Sequence, residues 1–295
     1  MGPLKISENV SLAPFATWKI GGEARFFARA NPENIAEALD FAKRMSLRML
    51  VLGRGSNVLI NSGKIDALVV QIVQKNPPKV DLNRGEAFAE AGTLLQALVQ
   101  AYAACGARGF EKLAGIPGSV GGAVFMNAGV LNPAECSISD LFLSGGFLSE
   151  KGEIVELSRG DMNFGYRKSV LFDKPLIALS ARFKVGEIVG AEPLKREIRQ
   201  TVLTRLSKQP QNRKNAGSVF KAAEGGVAAG ILIDKCGLKG RRRGGAMVSF
   251  KHANWIENLG GATSADVLGL ISEIKEEVFK KFGAELREEV RMFGF

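Results

Sequence analysis

Two glycine-dense segments carry the first chemical signal in this 295-residue chain. The segment GRGSN comprises Gly53, Arg54, Gly55, Ser56 and Asn57. Its glycines let several backbone N–H groups converge on an anion such as a pyrophosphate, with Ser56 and Asn57 as further donors; a plain turn would use the same residues. It is neither the Walker pattern nor a dinucleotide fingerprint opening a helix, because the strand-like VLI follows. The longer segment, GIPGSVGGAVFMNAG, holds Gly115, Ile116, Pro117, Gly118, Ser119, Gly121, Gly122, Ala123, Asn127, Ala128 and Gly129. It is too rich in glycine for a helix or strand interior and suits backbone that must approach something closely. Two such loops fit either an extended, diphosphate-linked ligand or the close packing of strands and crossovers.

The remaining candidates are single side chains. NAGSVFK sets Ser218 after a glycine at the entry to an expected strand, with Lys208, Arg213, Lys214 and Lys221 nearby in sequence. Ser218 can serve as a proton donor, an anion contact or a turn residue. A hydrolase nucleophile is disfavoured because G-x-S-x-G is absent and His252 is the single histidine. Arg167, in GYRKS, offers a planar fork that matches a carboxylate, or else is a surface arginine. In LREEVR, a half-buried strand would turn one of Glu288 and Glu289 inward, where a buried carboxylate needs a partner. KGRRRGG, residues 239–245, is the densest positive cluster and the main hint of nucleic acid. His252 alone makes no metal site.

The elements that must position these groups follow from periodicity. A helix capped at Asn31, with Pro32 in its first turn, carries Ile35, Ala38, Leu39 and Ala42. Strands are expected at 48–52, 58–60, 68–73 and 87–91 in an α/β pattern, with a helix at 93–105 stopped by Gly106. A hairpin spans 141–157 with its bend at 149–152, and a strand occupies 175–185. After a polar connector, helices are expected at 193–208 and from Thr263, whose capping box with Asp266 opens a long helix that Gly283 stops. A last strand covers 284–293. Cys105, Cys136 and Cys236 form no C-x-x-C pair and no disulfide framework, and the first residues lack a secretory apolar core. A cytoplasmic protein without a membrane span is expected. The net charge of +10 suits nucleic acid, an anionic surface or small polyanions.

Taken in order, TWKIGG (residues 17–22), LGRGSN, GIPGSVGGAVFMNAG, FGYRKS, NAGSVFK, GLKG with the following GGA, VS and KHA, and the terminal EEVR resemble the UDP-N-acetylenolpyruvoylglucosamine reductase family over practically the whole chain. The resemblance implies an α+β architecture: a two-lobed FAD-binding domain of the vanillyl-alcohol-oxidase type at 12–188 and a smaller α+β substrate domain at 193–295, with FAD between them. It implies tightly bound FAD, NADPH as reductant, and a UDP-sugar substrate in peptidoglycan precursor synthesis, with no metal, nucleic acid or obligate protein partner. The two glycine loops would hold the FAD diphosphate and ribityl region, with Asn127 to Gly129 near the flavin.

The same resemblance assigns proton delivery to C2 of the enolpyruvyl group to Ser218, with Arg167 and Glu289 stabilising the enolate-like intermediate or helping the proton transfer. A serine hydroxyl is a poor acid, and Arg167 is the cation this sequence offers to help it. Lys208, Lys239 and His252 match substrate positions. The chain departs from the family at Ala222 and Ala223, where Asn-Pro is usual, and at Lys168, Arg54 and Arg287–Glu288. The interval between Arg167 and Ser218 is too short for the inserted tyrosine-bearing loop of the longer class. A related flavin oxidase reoxidised by oxygen and a basic nucleic-acid-binding protein are the competing readings.

Overall fold

The computed structural model describes residues 4–130, 136–210 and 214–295; Arg213 lies outside them. The chain forms two compact units that are discontinuous in sequence. The first gathers the residues up to Ile6 with Ala28–Arg54 and Leu68–Arg205, and the second gathers Ser7–Phe27, Gly55–Ala67 and Leu206–Phe295.

In the first unit, an antiparallel sheet runs in the order Ile154–Ser158, Phe142–Ser149, Leu176–Lys184, Glu86–Glu90 and Lys79–Asp81. Alternation along these strands buries Ala87, Ala89, Phe147 and Phe183 against Leu95, Leu98, Val99 and Tyr102 of the helix Leu95–Ala104. Phe110 meets Tyr102 and Phe183 edge-on, at ring-centroid distances of 4.9 and 5.1 Å. The expected hairpin is present, with Gly152 at a φ of 91° in its bend. The α/β alternation expected before residue 73 is seen in the parallel pairing of Met49–Leu52 with Leu68–Gln71; with the antiparallel sheet, the architecture is α+β. The first helix, Ile35–Arg44, has Asn34 and not Asn31 at its N-cap position, without a side-chain capping bond; Asn31 closes the preceding turn instead, its side chain accepting from Glu33 N–H.

The glycine-dense segment departs most from expectation, because Val120–Met126 is a helix. Low helix propensity is overridden by neighbours that satisfy its first N–H groups. Val120 N–H donates to Thr93 O and Gly121 N–H to Ala91 O, both at 2.8 Å, while Ser119 Oγ accepts from Gly122 N–H. Gly121 makes this possible: a Cβ there would stand 2.8 Å from Ala91 Cβ.

In the second unit, the strands Arg242–Arg243, Ala246–Val248 and Ile256–Asn258 form an antiparallel sheet. The helix Ser264–Phe282 carries the expected capping box and ends at Gly283 in the left-handed region. Its Val267, Leu270, Ile271, Ile274 and Val278 join Trp18, Leu59, Phe220 and Ile233 in the core. The last strand is shorter than expected, Arg291–Phe293, paired in parallel with Val58–Ile60. Residues 215–221 form no strand either. The two segments meet through a single bridge, Phe220 with Glu288, and irregular backbone hydrogen bonds, because Val219 O accepts from both Glu289 N–H and Val290 N–H. Two donors on one carbonyl break ladder register.

The two neighbouring glycines separate packing from propensity. Gly121→Ala is expected to lower the stability of the flavin-free protein by about 1–3 kcal/mol through overpacking against Ala91. Gly122→Ala, whose Cβ would meet nothing closer than Ser119 Oγ at 3.5 Å, is expected to leave it unchanged or raise it by up to about 1 kcal/mol. Urea midpoints of the two variants check both.

Candidate functional site

Within the first unit the two glycine loops come together. A Cβ on Gly53 would stand 2.7 Å from Ser119 Oγ, so a larger residue there would displace the Ser119 hydroxyl. The Gly53 carbonyl accepts from Gln71 Nε2 at 3.2 Å, which turns the carbonyl edge of this loop toward protein. Asn127 ends the helix in the left-handed region, donates from Nδ2 to Gly165 O at 3.0 Å, and accepts from Ser139 N–H at 3.0 Å. It thereby ties the 115–129 segment to FGYRKS. Arg167 continues the connection: its Nη2 donates to Gly129 O at 2.8 Å, and its guanidinium lies over the Tyr166 ring. Its backbone sits at a φ of 53°, unusual for a non-glycine residue. Arg167 is therefore a placed, half-buried residue rather than an incidental surface arginine. Lys168, the departure beside it, pairs with Asp173 at 2.9 Å.

Two buried polar atoms in this unit, Thr93 Oγ1 and Arg205 Nη2, have no hydrogen-bond partner among the described residues. Both adjoin the 115–129 segment. Thr93 O holds Val120, and a Cβ on Gly115 would stand 2.9 Å from Arg205 Cδ. Orphaned donors beside a Cβ-free loop suit a polyanionic, hydrogen-bonding cofactor such as FAD.

The second unit gathers the other candidates. Asn57 Nδ2 donates to Glu289 O at 3.1 Å, and Asn57 O accepts from Arg291 N–H at 2.9 Å. Gly55, at a φ of 63°, presses on the carbonyl of Phe15, and its own carbonyl accepts from Thr17 N–H at 3.0 Å and from Thr17 Oγ1. TWKIGG thus anchors this half of GRGSN. Ser218 follows an Asx turn in which Asn215 Oδ1 accepts from Gly217 N–H at 3.1 Å, with Gly217 at a φ of 74°. The next residues are clamped by Asn254, 7% exposed, which accepts from Phe220 N–H at 2.9 Å and donates to Phe220 O at 2.8 Å. Glu289 N–H reaches Val219 O at 2.8 Å. Ser218 and Glu289 therefore lie on directly hydrogen-bonded stretches of backbone. Of the two glutamates, Glu288 is taken up by Lys275 at 3.0 Å.

His252 Nδ1 accepts from Asn254 N–H at 3.3 Å. Burial, then the charge of Lys239, lowers its pKa and favours the neutral ring. Lys239 Nζ pairs with Asp234 at 2.7 Å, and Lys208 is exposed at the end of its helix. An open cavity of about 410 Å³ beside His252 in sequence is lined by Pro210, Ser249, Phe250, Lys251 and Glu257. The arginines of KGRRRGG are exposed, and each meets a neighbouring residue of the same unit. Arg241 pairs with Glu273, Arg242 Nε donates to Met247 Sδ, and Arg243 lies along Gly269.

Known proteins align with this chain from end to end. Residues 24–158 match the FAD binding domain model, and residues 209–293 match the C-terminal domain model of UDP-N-acetylenolpyruvoylglucosamine reductase. The reductase of Desulforamulus reducens is 40% identical over 98% of this chain and 94% of its own. That of Prochlorococcus marinus is 38% identical over the whole of both. The chain belongs to the UDP-N-acetylenolpyruvoylglucosamine reductase family. A crystal structure of the Thermus caldophilus reductase superposes with a TM-score of 0.82 at 33% identity, covering 98% of this chain and 99% of that one.

Sequence reasoning missed three features of the site. Asn254 sits inside KHANW without a motif of its own, and the cavity arises from segments distant in sequence. Arg205 did leave a signal: Leu194, Ile198 and Val202 form the apolar stripe of the helix Ala191–Lys208, and Arg205 falls on that same stripe.

Two measurements check this arrangement. Asn254→Ala is expected to cost about 1–3 kcal/mol for each Phe220 group left unsatisfied. Urea unfolding followed by tryptophan fluorescence reads this directly, since Trp18 and Trp255 both belong to the second unit. His252 has a folded pKa below its ordinary 6.5, so the unfolded chain binds the extra proton. Its contribution is fully present above pH 6.5 and is lost as pH falls from there through the folded value. A His252→Gln variant is expected to flatten that loss in urea midpoints taken between pH 7.5 and 5.

Proposed function

We propose that this protein reduces UDP-N-acetylenolpyruvoylglucosamine to UDP-N-acetylmuramate for peptidoglycan precursor synthesis, as an FAD-containing, NADPH-dependent oxidoreductase. The observation that carries the reading is the direct backbone link between the Ser218 segment and Glu289, in a chain that aligns with these reductases along its length. FAD, when bound, supplies two-electron hydride chemistry between the nicotinamide and C3 of the enolpyruvyl group. Residues 12–188 are assigned to FAD binding and 193–295 to the sugar nucleotide. Gly53 to Asn57, Gly115 to Ser119, Gly121 to Ala123 and Asn127 to Gly129 hold the cofactor through backbone approach and hydrogen bonding.

Ser218 donates the proton that C2 needs once hydride has reached C3. The Asx turn and the Asn254 clamp fix the backbone on both sides of it, so its hydroxyl is presented with little conformational search. Arg167, fixed by Gly129 and Tyr166, offers a permanently charged, planar fork for the substrate carboxylate, where negative charge develops. Glu289 orients the proton donor. Neutral His252 donates or accepts a hydrogen bond without adding a charge beside Lys239. Lys208 and Lys239 act as point charges toward the diphosphate, and the cavity at Pro210 and Phe250 has a size and lining suited to part of a nucleotide.

Among the described residues no helix is long and apolar enough to cross a membrane. A cytoplasmic setting accords with three free cysteines. No nucleic acid and no obligate protein partner are needed by this chemistry.

Ser218→Ala is expected to leave flavin content and flavin reduction by NADPH nearly unchanged while slowing reoxidation by the sugar nucleotide about a hundredfold or more. Stopped-flow absorbance of the two half-reactions separates them, and equal loss in both would remove the proton-donor assignment.

A further inference from the structure

Arg205 is unused by the mechanism above, yet its placement is costly. It lies at the end of an apolar helix stripe, with its stem packed toward Gly115 and its Nη2 buried without a hydrogen-bond partner among the described residues. Arg205 takes part in none of the ion pairs formed among those residues. Burial, and then the charge of Arg167, a second cation, lowers its pKa. A guanidinium stays protonated even so, and a half-buried cation with an unpartnered Nη2 near another cation is unfavourable until an anion arrives.

Beside the phosphates of cofactor, reductant and sugar nucleotide, two negative charges belong to the reacting groups themselves. One is the substrate carboxylate, already met by Arg167. The other arises during turnover: hydride leaves NADPH as two electrons and one proton, NADP⁺ forms, and FAD becomes FADH⁻ with one additional negative charge. Arg205 belongs to the first unit and packs on Gly115, the opening residue of the loop read here as holding FAD. We infer that Arg205 is the counter-charge for reduced FAD, its half-buried guanidinium stabilising the anionic reduced cofactor over the oxidised one and so raising its reduction potential. The inference rests on the reading that the 115–129 segment holds FAD. It makes Arg205 a tuning residue whose effect precedes contact with the sugar nucleotide.

The test is anaerobic redox titration of the holoenzyme against a reference dye, without the sugar nucleotide. Arg205→Met is expected to retain FAD yet weaken binding of the reduced form, relative to the oxidised form, tenfold or more, a lowering of the potential of about 30 mV or more. Arg205→Lys is expected to recover most of it, and KM for the sugar nucleotide to change little. The wild type supplies an independent readout should the methionine variant fail to fold. Its reduced flavin is expected to remain anionic, by absorbance, to a lower pH than free reduced FAD. A reduced wild-type flavin that protonates with the free cofactor overturns the inference, as does an unchanged potential in Arg205→Met. An unchanged potential with a large rise in KM would reassign Arg205 to the substrate carboxylate. A wild type that takes up no FAD defeats the cofactor reading itself, and the inference with it.

Discussion

Backbone must lie against backbone at the loops of this protein, and a Cβ is the obstacle. Gly121 lets the helix Val120–Met126 settle on Ala91, where its first N–H groups find carbonyl acceptors. Gly53 lets GRGSN reach Ser119, and Gly55 lets the same loop press on Phe15. Hydrogen bonds alone would not hold these contacts, since each depends on a close approach that a larger residue would disturb. The glycine surplus is the cost of that geometry in conformational entropy, and the large aromatic and aliphatic cores of the two units offset it.

The candidate catalytic groups are held by a different device. Ser218 and Glu289 occur on irregular chain, where no ladder supplies rigidity. Side chains substitute for it: Asn215 closes the turn before Ser218, Asn254 pairs both polar groups of Phe220, and Asn57 holds the carbonyl of Glu289. Asparagine suits each position because it both donates and accepts. Charge is arranged with equal economy. Glu288 and Lys275 neutralise one another, as do Lys239 and Asp234, whereas the buried Nη2 of Arg205 has no acceptor among the described residues.

Elements governed by local signals were legible in the sequence. The capping box at Thr263 and the stop at Gly283 fix the last long helix, and alternation with a turn at 149–152 fixes the hairpin. Elements governed by distant contacts were not. The helix inside the glycine-dense segment depends on Ala91 and Thr93, and the irregular meeting of 219–221 with 287–290 depends on a carbonyl shared by two donors. The discontinuous units follow from pairings such as Val58–Ile60 with Arg291–Phe293, which no local pattern announces. At the site, the motifs carried Ser218, Arg167 and Glu289, but their supports, Asn254 above all, became visible only through hydrogen bonds.

The central claim is that bound flavin passes its electrons to an enolpyruvyl sugar nucleotide. The most direct measurement follows the visible flavin band of the purified protein under anaerobic conditions while NADPH and then UDP-N-acetylenolpyruvoylglucosamine are added. The account predicts a yellow protein that bleaches with NADPH and recovers its colour on addition of the sugar nucleotide, with UDP-N-acetylmuramate as product. A bleached flavin that ignores the sugar nucleotide and recovers only in oxygen would contradict it and mark a flavin oxidase. A chain that cannot be loaded with FAD would contradict it more deeply.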